Sequence, residues 1–204
     1  GNVAGSDGGG VYVARCDAVF TNTLVADNEA AGAGGGMFMR NSALDLLHTT
    51  LAQNQGSDGI AVSNNSTARL TNTILVSHTV GIAVAVDNVA RLEATLWGND
   101  VDWTGGGTIS VGMENVTGDP AFVDPSSGDY HIAAASAARD AGVDAGVAHD
   151  VDGELRPFGL APDLGADEFR LPPTPALAVA VSAAPSPVEA GAALTYTLRV
   201  TNAG

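Results

Sequence analysis

Apolar and polar residues alternate with a period of two over short stretches of this chain, at Val11 and Val13, Phe20 and Leu24, Ile60 and Val62, and Ile82 and Val84. No stretch spaces its apolar residues as a helix would, so the pattern predicts short strands. The strands recur. Glycine-led signals appear at Gly8-Gly9-Gly10-Val11, Gly34-Gly35-Gly36-Met37, Asp58-Gly59-Ile60 and Gly81-Ile82. A second block follows each of them, opening at Phe20, Leu47, Leu70 and Leu92, at intervals of 27, 23 and 22 residues. A unit of that length is one coil of a solenoid.

Asp27-Asn28, Asn64-Asn65, Asp87-Asn88 and Asn99-Asp100 stand between the strands. Asn, Asp and Gly tolerate left-handed backbone and so turn the chain. Stacking coils at the ~4.8 Å strand spacing pairs each backbone with its neighbour. Phe20, Leu47, Leu70 and Leu92 are expected to form one inward ladder. The predicted fold is all-β, a parallel β-helix, right-handed because parallel crossovers nearly always are.

After Trp103 the repeat weakens, and a distinct segment runs from Gly118 to Phe169. Its motifs are Gly118-Asp-Pro-Ala-Phe122, Gly128-Asp-Tyr-His-Ile132, Ser136-Ala-Ala-Arg-Asp-Ala-Gly142, Asp150-Val-Asp-Gly-Glu-Leu-Arg-Pro157 and Asp163-Leu-Gly-Ala-Asp-Glu168. With Trp97-Gly98-Asn99 before them, these resemble the bacterial choice-of-anchor family of right-handed β-helix surface proteins, which share the pectin-lyase-like fold. The resemblance covers about residues 1–169. Ala137, Leu164 and Asp167 depart from its usual Pro, Ile and Tyr. It implies an exported surface protein.

The expected organisation is coils over 1–117, a C-terminal cap over 118–169, a Pro-rich linker over 170–175 and an incomplete module over 176–204. The last segment, ending in Tyr196-Thr-Leu-Arg-Val-Thr-Asn202, resembles the opening strands of Ig-like repeat modules on bacterial surfaces. About 29 residues cannot complete a sandwich of roughly 100.

The charge balance is −15, from 23 acidic residues against 8 cations that are all Arg. Such a surface repels phosphate backbones, which excludes nucleic acid as a partner. The longest apolar run, residues 176–181, is far short of the ~18 residues a membrane helix needs. A monomer outside the cell or on its surface, contacting polysaccharide or another surface protein, is the expected state.

Candidate chemistry is sparse. Trp97, Asp100, Asp102 and Trp103 form the best glycan-contact cluster, because indole faces stack on sugar rings and carboxylates bind hydroxyls. Asp150-Val-Asp152-Gly153 opens like an EF-hand, but its twelfth position is Ala161. A looser Ca2+ site using Asp150, Asp152, Asp163 and Asp167 is the metal expectation, against a turn held by side-chain hydrogen bonds. No other cofactor is implied and no catalytic residue is assigned. Arg15, Arg40, Arg69 and Arg91, roughly one per coil, read as an exterior row balanced by acids. His48, His78, His131 and His149 lack metal-ligand spacing and read as surface or packing residues. Cys16 is unpaired and has no catalytic partner motif. Thr23, Thr50, Thr73 and Thr95 suggest an outward threonine column of the ice-binding kind. The functional expectation is a non-catalytic structural or adhesive module. The alternative is a fragment of a polysaccharide lyase or glycosidase whose catalytic coils lie upstream.

Overall fold

The computed structural model describes residues 1–171 and 177–202. It is all-β apart from one short 3-10 turn at Pro125–Ser127. Two compact units divide at residue 169. The first is a parallel β-solenoid of about five coils. The linker expected over 170–175 lies outside the described residues from residue 172 onward.

Each full coil has up to three strands. The first strands, Val11–Ala14, Met37–Arg40, Ile60–Ser63, Val80–Val84 and Val101–Thr104, pair in parallel into one sheet. Ala18–Thr21, Ala43–Leu47, Thr67–Val76, Val89–Gly98 and Thr108–Val111 make the second. Leu24–Ala26 pairs with Thr50–Ala52, Thr50–Ala52 with the later half of Thr67–Val76, and Val116–Thr117 with the later half of Val89–Gly98, forming a third face.

Left-handed residues set the corners. Arg15, Asn41 and Asn64 follow the first strands; Asn22, His48, Asn72 and Ala94 bend the second face into the third; Asp27, Gln53 and Ser77 close it, all with φ between 47° and 62°. Polar residues with short side chains bear this backbone at least cost, and five of the ten are Asn or Asp.

One inward column is Val11, Met37, Ile60, Ile82 and Trp103. The other expected column is corrected by one residue. Phe20 stands opposite Leu46, and Leu46 opposite Leu70 and then Leu92, while Leu47 pairs with Thr21 and Thr71. Leu46, Leu70 and Leu92 are fully buried in the main core.

A buried polar ladder runs beside that core. Asn28 Nδ2 donates to Asn54 Oδ1 at 2.8 Å, Asn54 Nδ2 to His78 Nε2 at 3.1 Å, and His78 Nδ1 to Asn99 Oδ1 at 2.9 Å. The glycines that lead the first strands are required by it. A Cβ on Gly10, Gly36, Gly59 or Gly81 would come within 2.6–3.0 Å of Asn28, Asn54, His78 or Asn99 respectively.

Residues 118–169, expected as a cap, pack against the side of the coils. They lie along the outside of the third face. Tyr130, Ile132, Ala138 and Leu164 pack on Ala52, Ile74, Val76 and Leu96 in a second core. Hydrogen bonds carry this flank layer back to the early coils. Tyr130 Oη donates to Asp27 Oδ2 at 2.8 Å, Ala166 N to Thr50 Oγ1 at 3.0 Å and Asn22 Nδ2 to the His149 carbonyl at 2.6 Å. The flank is laid down where the third face offers apolar outward residues, so burying that face decides its course.

The second unit is an antiparallel ribbon of Leu177–Ala184 and Thr195–Asn202. Val179 faces Val200, Val181 faces Leu198 and Ala183 faces Tyr196, giving the ribbon one apolar side.

Candidate functional site

The tryptophan cluster does not assemble into a sugar platform. Trp97 is 3% exposed, belongs to the main core and donates Nε1–H to Asn115 Oδ1 at 3.3 Å. Trp103 ends the inward column of the first sheet and meets Trp97 edge to face at 5.4 Å. It is 40% exposed on the last strand of that sheet. Asp102 Oδ1 accepts from the Asn99 backbone at 3.4 Å, which ties it to the turn, and Asp100 is exposed.

The threonine column is also corrected. Thr73 pairs with Thr95 and the register places Thr49, not Thr50, beside it. Thr49, Thr73 and Thr95 are fully buried, so no outward ice-facing array exists there. The arginines do not share one row. Arg69 and Arg91 stand opposite each other in line with Asp45 and Ser110, whereas Arg40 pairs with Ala14 and Ser63 on the first sheet.

The four acids expected around Ca2+ are divided between two tasks. Asp150 Oδ1 accepts the N–H groups of Asp152 and Glu154 at 3.0 and 2.8 Å, and its Oδ2 accepts that of Glu168 at 3.1 Å. Asp163 accepts from Asp140 N at 2.6 Å and Phe169 N at 2.7 Å. These two are occupied by backbone.

They belong to a buried network that the recognised motifs build. Arg156 Nη1 meets Glu168 Oε2 at 2.9 Å with both side chains buried, and its Nη2 donates to the carbonyls of Gly165 and Ala166 at 2.9 and 2.7 Å. Glu168 in turn accepts the N–H groups of Phe158 and Asp163 at 2.7 and 2.9 Å. Burial pushes Asp163 up to about 6, against the opposing pull of its two N–H donors. His48, beneath this network, is pushed down to about 4, by burial first and by the Arg156 charge second.

Asp152 and Asp167 instead converge on a histidine. His131 Nδ1 meets Asp129 Oδ1 at 2.6 Å and Nε2 meets Asp152 Oδ2 at 2.7 Å. Asp167 completes a group of three whose ligand-capable atoms lie within 4.8 Å of one another. The hydrogen bond to Asp129 has the largest effect; burial opposes it, and the hydrogen bond to Asp152 and the charge of Asp167 add to it, lifting His131 to about 9. A cavity of about 140 Å³ opens between these residues and Leu24, Thr50 and Tyr130. No spacing rule finds this group, because it joins residues 131, 152 and 167 across three turns of the flank.

The first sheet carries an aromatic pair that the sequence pattern did not single out. Tyr12 stacks on Phe38 at 5.1 Å, and the Arg40 guanidinium lies 5.7 Å from the Tyr12 ring centre. Tyr12 points outward and is 46% exposed.

No family model, curated protein or solved structure matches this chain. Among the described residues no helix is long and apolar enough to cross a membrane.

Proposed function

We propose that the chain is a structural and adhesive solenoid module of an exported bacterial surface protein of the choice-of-anchor kind, contacting polysaccharide or another surface protein. The observation that carries this reading is the exposed Tyr12 ring, stacked on the buried Phe38, with Arg40 beside it. An aromatic ring offers a flat apolar surface to the C–H groups of a sugar, and a guanidinium offers forked donors to hydroxyls or carboxylates. The parallel sheet holds both on rigid strands, so little ordering entropy is lost on contact. The motif acids support the same reading, since Asp150, Asp163 and Glu168 hold backbone N–H groups. The apolar side of the ribbon at 177–202 supports an extension of the proposal, in which that ribbon opens an Ig-like module completed by further strands.

Affinity electrophoresis through gels carrying neutral or uronic-acid polysaccharides tests the contact. Retardation in one gel type, weakened at least several-fold by Tyr12→Ala, is the expected result. Retardation that Tyr12→Ala leaves intact, or none in any gel, would remove the glycan-binding part.

A further inference from the structure

The flank layer holds a set of donors that its hydrogen bonding does not exhaust. Asp167 is 8% exposed, and only its Oδ2 is engaged, accepting the Ile132 N–H at 2.8 Å. The residue lines the 140 Å³ cavity together with His131 and Asp152. A carboxylate anchored by a backbone N–H through one oxygen still has lone pairs on the other to offer an ion. The histidine is held ready for the same space. Asp129 takes Nδ1, which fixes the ring and leaves Nε2 directed at the acids, as the outer carboxylate of a metal-bound imidazole does.

We propose that His131 Nε2, Asp152 and Asp167 bind one divalent ion of the Zn2+ class, with Asp129 as the positioning residue behind the imidazole. One imidazole and two carboxylates suit a borderline transition ion, whereas Ca2+ takes six to eight oxygens and has little use for nitrogen. Ligand atoms around a tetrahedral ion stand about 3.3 Å apart for bonds near 2.0–2.2 Å. The present group spans no more than 4.8 Å, so a movement of the exposed Asp152 side chain gathers it. The ion would tie the strand Asp129–Ile132 to two later turns, locking the flank against the first coils.

The test is calorimetric titration of the chelator-stripped full chain with Zn2+ and, separately, with Ca2+. One Zn2+ per chain is expected, bound more tightly than Ca2+. His131→Ala and Asp167→Asn should each weaken it at least tenfold, Asp129→Asn should weaken it by less, and His149→Ala should leave it unchanged. His131 is exposed, so His131→Ala keeps its fold, checked by circular dichroism, and decides the matter should Asp167→Asn unfold. Absence of saturable Zn2+ binding, tighter binding of Ca2+, or Zn2+ affinity unaltered in His131→Ala would overturn the site.

Discussion

Asn54 and His78 meet inside the solenoid with Nδ2 and Nε2 3.1 Å apart, and the contact fixes the chemistry of both. Asn54 Oδ1 already accepts from Asn28 N and Nδ2, so its Nδ2 is the donor and His78 Nε2 must accept. His78 therefore stays neutral with its proton on Nδ1, given to Asn99. Burial lowers its pKa in the same sense. A histidine here extends an asparagine ladder because both side chains can pass one hydrogen bond in and one out.

His48 makes the equivalent contact with Asn72, buried beneath the flank. Asn72 Oδ1 accepts the Val143 N–H at 2.8 Å, so its Nδ2 faces His48 Nε2, also at 2.8 Å. A folded pKa near 4, below the usual 6.5, means that the native state binds fewer protons than the unfolded chain. Its contribution is complete above pH 6.5 and is lost as pH falls through 4. Asp163 acts oppositely, since a pKa raised to about 6 makes the fold gain stability as pH falls from 6 toward 3.8. The two act in opposite directions, so the difference between variants carries the information. His48→Asn, which matches Asn22 and Asn72 in the same left-handed column, should lose about 2 kcal/mol less than the parent between pH 7 and pH 5. Urea unfolding at both pH values measures it. Equal losses in the two proteins would contradict the neutral-imidazole assignment.

The coil repeat is legible in the sequence wherever a left-handed residue marks the corner. Phe20-Thr-Asn22 and Leu70-Thr-Asn72 read unambiguously. Leu46-Leu47-His48 does not, because the leucine doublet satisfies the apolar pattern in two registers and only the backbone at His48 (φ 47°) chooses. Leu46→Ala should accordingly cost about 2–5 kcal/mol and Leu47→Ala under about 1 kcal/mol. Denaturant midpoints of the two variants decide between the registers; the reverse order would restore the Leu47 ladder.

The candidate sites were less legible, for a physical reason. The Asp-rich motifs are conspicuous as strings, yet a carboxylate that binds a cation and one that binds a backbone N–H look alike until the turn is folded. Asp150 and Asp163 lie next to N–H groups, and Asp152 and Asp167 beside His131. Trp97 misleads for a similar cause, since an indole near acids reads as a sugar contact until the coil encloses it.

The flank layer gives the last prediction. Ile74, Val76 and Leu96 are apolar on the outward side of the third face and are buried only by residues 118–169. A chain ending at Thr117 would expose them as one continuous patch on a parallel sheet, and exposed patches of this kind drive association. That truncation should aggregate or bind a hydrophobic dye strongly, while one ending at Phe169 retains the whole first unit and should stay soluble. Lateral covering and end covering are separable. Ile74→Thr with Leu96→Thr should restore solubility to the short chain, because those side chains face the flank. Val111→Thr, at the exposed last strand of the second sheet, should not. Gel filtration of the four proteins reads the result. Rescue by Val111→Thr alone would mean that the open end of the stack, and not its side, is what residues 118–169 protect.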